Sequence, residues 1–526
     1  MKRFLICLLA LSLMRVSSAG ALAYEELPSI TYPLDTDVTL KIWMPISSSC
    51  TNQISTYAEN ESFQYAQEAT GIKLEFIHPS TSAVNEEFNL MIVSGDLPDI
   101  IVNGQYQTSA ANATSCVNGV EDGIFLDLTD YMPEYSPTYW NYLMTNEPFY
   151  QDATTDEGRV YYYTNYKNVT SDVEGSWDRF QVRADWLAEL NMETLWTIED
   201  YETYFQYILD NKEGVTPFTL EKSGVERCFL SAFEILEDWY QVDGQVRYGQ
   251  YEDNFKDYLQ LMHDWYEKGY ISPDFTSYTS ERDAYLAGES GGYCGTSVDT
   301  FELAREIGLK IQNCPYLRAY EGQKTHGFYY LRPANGQFAV ICSDSEHVPE
   351  AMMFMDYGYT LDGSYVYCYG IPEVAWVYGD DGLPKYTDYV LNNDRGYNIT
   401  EVSYILRLHE GFPHMRDSDA YSIPSNSIDP ECLAYRLQWQ DDPNWNTSDW
   451  CLPSLTLSNE DSLRRSEIMT EIDTYIDEMV LKYITGAESL DTFDTYQQTL
   501  KDMGIEEAIE LTQKAYDNLL AKKLPE

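Results

Sequence analysis

Basic residues are scarce in this chain of 526 residues. Lys and Arg together number 33 against 86 Asp and Glu, which gives a formal net charge of −53. A surface of that sign repels phosphate backbones, so we expect no nucleic-acid partner, and anionic membranes are disfavoured in the same way. The six His include no H-E-x-x-H motif and no pair at i,i+4, and no C-x-x-C occurs. The sequence therefore offers no metal site of the usual spacing.

Two common catalytic signatures are missing as well. Neither the G-x-S-x-G elbow of many hydrolases nor the phosphate-binding G-x-x-x-x-G-K-[ST] loop is present. Paired carboxylates can hydrolyse glycosides, but among 86 acidic residues neighbouring pairs are expected by chance. We therefore predict that the protein is not an enzyme and needs no cofactor, and a secreted glycoside hydrolase stays as an alternative.

Long apolar runs are confined to the N-terminus. Met1–Arg3 is basic, Phe4–Met14 is apolar, and Ala21–Ala23 provides a small-residue cleavage motif. This pattern predicts a signal peptide over 1–23, followed by a linker over 24–36, and hence an extracellular protein. A cysteine that closes a lipid-attachment motif is absent at the cleavage site, so a retained leader and free secretion both stay open.

Ten cysteines are present, and one of them, Cys7, lies in the predicted leader. The remaining nine are an odd number, so at least one is unpaired. A chain of this size does not need a disulfide framework. We expect mostly buried thiols, and one or two disulfides stay possible.

The N-terminal region alternates strand and helix patterns. Gly71 and Gly95 are the expected stop signals of its two helices. An alternation of this kind is typical of a parallel sheet with crossover helices, whose ligands bind beyond the carboxyl ends of the strands. The predicted strands are 38–45, 72–77 and 99–102, and the predicted helices are 62–70 and 85–93.

The rest of the chain is rich in helix patterns, with one later apolar strand at 338–341. Thr197 is the expected N-cap of the first of these helices. A strand that follows this helix-rich region suggests two α/β lobes, with connections that cross from one lobe to the other. We predict an N-terminal lobe of 37–158 and 316–360, and a C-terminal lobe of 159–315 and 361–526. The predicted helices are 196–211, 253–268, 347–357, 462–484 and 506–522.

Aromatic residues are abundant, with 46 Tyr and 11 Trp. Trp186, Trp196 and Trp265 fall within helix patterns and are predicted to be core. Aromatics in loops and at strand ends suit stacking on sugar rings, while the alternative for each is a side chain that covers the surface. The predicted ligand-binding residues are Trp43, Trp177, Arg179, Trp239 and Trp376, with Tyr162 and Tyr293 in second rank.

One acidic loop has oxygen ligands ahead of a glycine. Asp152, Asp156 and Glu157 precede Gly158 and make a weak candidate for a calcium loop. The spacing does not fit an EF-hand, and a plain turn is the favoured interpretation.

Six short segments are notable for their order and spacing: Ile92–Ile100 (IVSGDLPDI), Phe125–Tyr131 (FLDLTDY), Val182–Leu190 (VRADWLAEL), Tyr266–Phe275 (YEKGYISPDF), Phe493–Tyr496 (FDTY) and Gln513–Asp517 (QKAYD). Together they resemble the family 1 extracellular solute-binding proteins of bacterial ABC transporters. More narrowly, they resemble the long lipoprotein-type members of Firmicutes, and the resemblance covers nearly the whole mature chain.

The resemblance implies a type II periplasmic-binding-protein-like fold, in which two lobes, each with a mostly parallel sheet, close on a ligand about a hinge. It implies a monomeric solute-binding component that delivers its ligand to the permease subunits of an ABC importer. Strong acidity disfavours anionic sugars, so we expect a neutral oligosaccharide. A binder of peptides or amino-acid derivatives is the alternative within the same fold.

Overall fold

The structure is a computed structural model. It describes residues 29–47, 50–107, 113–167, 178–278, 280–327, 333–380, 382, 384–397, 399–408, 411–416, 439, 442, 444–446 and 449–525. The predicted signal peptide, Trp177 and Cys432 lie outside the described residues.

The strands are labelled in chain order. They are β1 Thr39–Trp43, β2 Lys73–Ile77, β3 Ile100–Val102, β4 Tyr163–Lys167, β5 Asp178–Arg183, β6 Trp239–Val242, β7 Gln245–Tyr248, β8 Gly292–Thr296, β9 Ile311–Asn313, β10 Thr325–His326, β11 Ala334–Ile341, β12 Trp376–Tyr378, β13 Pro384–Tyr386, β14 Met415–Arg416 and β15 Trp445–Asn446.

The α-helices are labelled in the same way. They are α1 Glu61–Thr70, α2 Val84–Ser94, α3 Ala113–Glu121, α4 Met132–Tyr135, α5 Pro137–Thr145, α6 Glu147–Ala153, α7 Ala184–Glu189, α8 Ile198–Asn211, α9 Arg227–Leu230, α10 Phe255–Glu267, α11 Glu281–Leu286, α12 Ser297–Glu306, α13 Val348–Tyr357, α14 Leu361–Tyr369, α15 Asp388–Leu391, α16 Ile399–Leu406, α17 Asn459–Ile484, α18 Phe493–Met503 and α19 Ile505–Ala521.

A six-stranded sheet in the order β14-β4-β11-β3-β1-β2 forms the first lobe. β1 pairs in parallel with β2 and β3, and β14 pairs in parallel with β4, whereas β11 runs antiparallel to both of its neighbours. The predicted strand–helix alternation is confirmed here. Asn60 caps α1 by accepting from the Phe63 N–H, and Gly71 and Gly95 end α1 and α2 with φ of 79° and 70°.

The second lobe is built around the three-stranded sheet β8-β5-β9 and a cluster of rings. Both pairings in this sheet are antiparallel, which differs from the expectation of a mostly parallel sheet in each lobe. Trp265 meets Phe205, Phe218 and Phe229 edge-on, with ring centroids 5.2–6.4 Å apart. Ile472 and Val480 on the long helix α17 join the same core, so the C-terminal helices belong to this lobe.

The lobe boundaries differ from the predicted ones. Val366 and Phe412 are buried in the first core together with Ile42, although 361–526 was predicted for the other lobe. The reason is that α14 packs on α1, where the Ser62 hydroxyl donates to the Val366 carbonyl at 2.8 Å. Tyr316, predicted for the first lobe, is instead buried in the second core. The chain thus changes lobe between residues 167 and 178, 327 and 333, and 416 and 439.

The described cysteines are mainly buried thiols, as expected. Cys228 on α9 and Cys294 on β8 form a disulfide within the second lobe. Burial raises the pKa of the Cys314 thiol to about 12, which keeps that thiol protonated. The buried thiols are Cys50, Cys116, Cys314, Cys342, Cys368 and Cys451.

Candidate functional site

A cavity of about 1210 Å³ opens in the second lobe. Three stretches of chain that are far apart in sequence form its wall. They are the N-terminal turn of α8 with the residues before it, the loop that follows β9, and the segment that returns from the first lobe. The lining residues are Trp196–Asp200, Glu202, Arg318–Gly322, Trp439, Asp442 and Asn444.

The cavity lies at the end of the second lobe where the chain enters from the first lobe. β5 begins at this end of the lobe with Asp178 and ends at the opposite end with Arg183. The Tyr204 hydroxyl accepts from the Arg183 N–H at 3.0 Å, so α8 runs from the cavity toward that far end. Trp439 is the first described residue after the last change of lobe. Ligand pockets occur preferentially at the interfaces between domains.

A capping box fixes the start of α8. The Thr197 hydroxyl accepts from the Asp200 N–H, and the Asp200 carboxylate accepts from the Thr197 N–H at 2.9 Å. The same carboxylate also accepts from the Trp196 N–H at 3.0 Å. Trp196 therefore stands just outside the helix, half-buried, with its indole in the cavity wall. The predicted N-cap is confirmed, and the prediction that Trp196 is core is wrong.

Trp196 is the centre of an aromatic and cationic group. Its ring meets the Trp439 ring edge-on, with centroids 4.9 Å apart and an interplanar angle of 72°. The Arg318 guanidinium carbon lies 4.4 Å from the centroid of the same indole, within the range of a cation–π contact. The Arg318 N–H donates to the Trp196 carbonyl at 2.9 Å, which ties the two backbones together.

Arg318 is 6% exposed, and its charge is balanced locally. Its Nη2 donates to the Asp442 carboxylate. Asp442 Oδ1 in turn accepts from the Asn444 N–H at 2.9 Å. The Nε atom of Arg318 and the Nε1 atom of Trp439 are buried and have no hydrogen-bond partner among the described residues. Two donors beside the cavity thus make no hydrogen bond with the described residues, and neither atom is accessible from the cavity.

Two acidic residues of the wall already accept hydrogen bonds from the protein, and two others are exposed. Asp200 is used by the capping box, and Glu202 accepts from the Trp265 indole and from Lys268. Glu199 and Glu321 are exposed. With Arg318 neutralised by Asp442, the described residues of the wall leave no cation in excess to attract an anion.

Four of the predicted ligand-binding residues are core in this structure. Trp43 packs against Phe88 with centroids 5.2 Å apart, and the Trp376 indole donates to the Gly370 carbonyl at 2.9 Å. The side chains lack the accessible ring face that stacking requires, so the structure does not support that role for them. Their exposed fractions are 2% for Trp43, 2% for Tyr162, 3% for Tyr293 and 4% for Trp376.

Two other predicted ligand-binding residues, Trp239 and Arg179, do not line the cavity either. Trp239 is half-buried in β6, where it meets Tyr248 edge-on at 4.8 Å. Arg179 is fully buried on β5. Trp177 lies outside the described residues. A ligand-binding role for Trp177 and Trp239 stays a prediction.

The calcium candidate residues are not brought together. Asp156 accepts from the Asn518 amide at 2.7 Å, and Glu157 accepts from the Thr155 hydroxyl at 3.0 Å. The Lys522 ammonium lies 4.0 Å from Asp156 and donates to the Thr154 carbonyl at 2.8 Å. Within the described part of the chain, the only acidic, His or Cys group with ligand spacing is Glu226, Cys228 and Cys294, and its two cysteines form the disulfide.

Sequence reasoning missed Trp196, Arg318 and Trp439. A signal for Trp196 was present, because a residue directly before a Thr-x-x-Asp capping box lies outside the helix. For Arg318 and Trp439 the sequence contains no comparable signal, since their contacts join segments that are distant along the chain.

Comparison with known proteins gives relatives that match nearly the whole chain or about half of it. The fructooligosaccharide ABC transporter substrate-binding protein FusA of Streptococcus pneumoniae is 22% identical over 95% of this chain and 94% of its own length. The lipoprotein LipO of Bacillus subtilis is 22% identical over 51% of each chain. No family model matches the chain.

Solved structures show the same fold. The alginate-binding protein AlgQ2, in a structure without calcium ion, has a TM-score of 0.71 at 20% identity and covers 93% of this chain and 99% of its own. FusA in complex with kestose gives 0.71 at 19% identity, over 92% of this chain and 100% of that one. The two-lobed type II fold and the resemblance to extracellular solute-binding proteins are therefore confirmed. FusA is named as the substrate-binding protein of an ABC transporter, and AlgQ2 is named as an alginate-binding protein.

Proposed function

We propose that the chain is the extracellular solute-binding component of an ABC importer, and that it captures a neutral oligosaccharide and delivers it to the permease. The observation that carries the proposal is similarity along 95% of the chain to a fructooligosaccharide-binding protein, FusA. Other proteins of the same fold are named for human milk oligosaccharide (HMO) binding and N-glycan transport. Binding without turnover fits the missing catalytic motifs.

The cavity supports a sugar ligand on chemical grounds. Sugar rings present C–H faces that pack on aromatic rings, and hydroxyls that pair with polar groups at the rim. Trp196 and Trp439 supply the rings, and Arg318 and Asn444 supply polar groups at the same wall. The volume of about 1210 Å³ is of the order needed for several sugar units rather than one.

An extracellular location agrees with the relatives. In addition, we propose that the signal peptide is cleaved after Ala23. Among the described helices, none combines the length and the apolar character that crossing a membrane requires. N-terminal sequencing of exported protein tests the cleavage site, with Tyr24 expected as the first residue. A different first residue contradicts this placement.

A thermal-shift screen tests the function. The ligands are kestose, lacto-N-tetraose, β-1,4-mannotriose, trimannuronate and a set of short peptides. At 100 times its dissociation constant, a bound sugar should stabilise the fold by about 2.7 kcal/mol. Stabilisation by peptides alone favours the peptide-binding alternative, and sugar turnover on incubation favours a glycoside hydrolase.

Ligand-driven closure is tested on the sugar that gives the largest shift. Hinge closure is biased by a ligand that binds the closed form better. Small-angle scattering should show a smaller radius of gyration with that sugar than without it. An unchanged radius with a confirmed ligand contradicts the closing of two lobes.

A further inference from the structure

We propose that Gln337, held by Asn103 at the carboxyl edge of the first-lobe sheet, binds hydroxyls of the sugar and is the contact that the first lobe adds when the two lobes close. This proposal deepens the proposed function and rests on it. The cavity described above belongs to the second lobe. A ligand bound there favours the closed form only if it gains a contact with the first lobe on closure.

The carboxyl edge of the first-lobe sheet is the edge at which the chain changes lobe. β11 runs antiparallel to both β3 and β4, so β3 and β4 run in the same direction. The chain leaves the sheet after Lys167 at the end of β4 and after Arg416 at the end of β14, and it returns just before β11 begins. All three changes of lobe therefore lie at the edge where β3 ends, which is the edge at which sheets of this kind bind ligands.

Two amide side chains meet at this edge. Asn103 directly follows β3, and its Nδ2 donates to Gln337 Oε1 at 2.6 Å. Asn103 Oδ1 accepts from the Phe338 N–H at 2.9 Å, and the Asn103 N–H donates to the Phe338 carbonyl at 2.7 Å. Asn103 is thus fixed to β11 and fixes Gln337 in turn. A side chain restrained in this way loses little conformational entropy when a ligand binds.

The amide nitrogen of Gln337 is available to a ligand. Among the described residues, the Gln337 side chain makes one hydrogen bond, in which Oε1 accepts from Asn103. Its Nε2 atom is not one of the buried polar atoms that lack a partner, and the residue is partly exposed. Nε2 can donate two hydrogen bonds and Oε1 can accept a second one, while a sugar hydroxyl both donates and accepts. One amide can therefore pair with two neighbouring hydroxyls.

The backbone at both residues has a conformation that side chains rarely adopt. φ is 55° at Asn103 and 47° at Gln337. The register between β11 and β4 also shifts between Ala334 and Phe338, so Gln337 lies in an irregular part of the strand. Conformations of this kind cost free energy and cluster at ligand clamps, and strand irregularities re-aim side chains near binding sites. Here the irregularity brings the Gln337 amide to the end of β3.

The test compares Q337M and Q337G with the wild type by calorimetry, and by small-angle scattering at saturating ligand. The ligand is whichever of kestose, lacto-N-tetraose and β-1,4-mannotriose gives the largest thermal shift. Q67M is the matched control, because Gln67 on α1 is also partly exposed and its Oε1 accepts from the Leu74 N–H at 2.8 Å. Gln67 lies beside the start of β2, at the opposite edge of the same sheet. Melting curves establish that each variant is folded.

We expect Q337M and Q337G to bind the sugar about tenfold more weakly, since each loses at least one hydrogen bond that is made in the closed form. At saturating sugar their radius of gyration should fall by less than that of the wild type, because the contact that favours closure is gone. Q67M should match the wild type in affinity and in compaction, even if its melting temperature is lower. Q337G should melt no lower than Q337M, since glycine adopts a φ of 47° without strain.

Each outcome decides a different point. If the wild type binds the sugar but Q337M and Q337G bind it equally well, the assignment of Gln337 is wrong and the proposed function stands. The assignment is also wrong if Q67M loses as much affinity as they do, because the loss is then structural. Weaker binding with full compaction overturns the role of Gln337 in closure. Should Q337M fail to fold, Q337G decides. No binding of any of the three sugars by folded wild type overturns the proposed function, and this proposal with it.

Discussion

The indole of Trp196 meets the indole of Trp439 edge-on, with ring centroids 4.9 Å apart. Trp196 precedes α8 of the second lobe, and Trp439 belongs to the segment that returns from the first lobe. The pair thus joins a fixed helix start to a stretch of chain next to a change of lobe. Movement of one lobe against the other would therefore change the contacts of a ligand that packs on this pair.

Replacement of Trp196 by alanine should weaken ligand binding without unfolding the protein. A half-buried Trp at the centre of a binding site typically contributes about 2 kcal/mol or more to binding, which is roughly thirtyfold in affinity. Calorimetry with the sugar found in the thermal-shift screen measures the effect. W140A is the matched control, since Trp140 on α5 of the first lobe is also half-buried but does not line the cavity. Equal losses in both variants would contradict the assignment of the site.

Replacement of Trp376 by alanine should instead lower stability. Trp376 is 4% exposed, packs among Tyr365, Tyr369 and Tyr378, and donates to the Gly370 carbonyl. Removal of a core Trp costs about 3–5 kcal/mol of unfolding free energy. Urea unfolding measures the loss, and W376F should lose less because it keeps a ring.

Affinity per folded molecule should be unchanged in W376A. A lower affinity with wild-type stability would restore the original prediction that Trp376 is a ligand-binding residue. The same pair of measurements on W43A tests Trp43, whose burial against Phe88 predicts the same result.

The local parts of the fold could be predicted from the sequence, because their signals are local. Gly71 and Gly95 end their helices, and Thr197 with Asp200 starts α8, since caps depend only on neighbours along the chain. The burial of Trp43 could not be predicted in this way, because Phe88, which packs against it, is separated from it along the chain by a helix and a strand. Phe412 was placed in the wrong lobe for the same reason, as its contacts with Phe63 join distant segments.

Stability should depend on pH through Asp356. Burial raises the pKa of this carboxyl from 3.8 to about 7, although it accepts from the Tyr139 N–H at 2.9 Å. The folded protein therefore binds a proton that the unfolded chain releases between about pH 4 and 7. The stabilisation is complete below the unfolded pKa and is lost as the pH rises toward 7.

D356N removes the titratable carboxyl and keeps an oxygen that can accept a hydrogen bond from the Tyr139 N–H. The unfolding free energy of the wild type should fall relative to that of D356N between pH 4 and 7, by an amount on the order of 4 kcal/mol at full extent. Urea titrations at several pH values measure the difference. His414, whose pKa burial lowers to about 3, acts in the opposite sense but is present in both proteins and cancels. A difference that does not change with pH contradicts the assignment.

Lys522 joins the C-terminal helix of the second lobe to the first lobe. Its buried ammonium donates to the Thr154 carbonyl at 2.8 Å, and its own carbonyl accepts from the Gln151 amide at 3.1 Å. K522M should therefore lower the unfolding free energy by about 1–3 kcal/mol, because it leaves a buried carbonyl without its donor.

The neighbouring lysine provides the control for K522M. Lys523 pairs with Glu147 at 3.0 Å but is largely exposed, so K523M should cost at most about 1 kcal/mol. Added salt should reduce the small effect of K523M and leave most of the effect of K522M, since salt screens exposed charges more than buried ones. Urea unfolding at low and high salt measures both. Equal losses for the two variants would show that Lys522 acts as a surface charge and not as a buried link between the lobes.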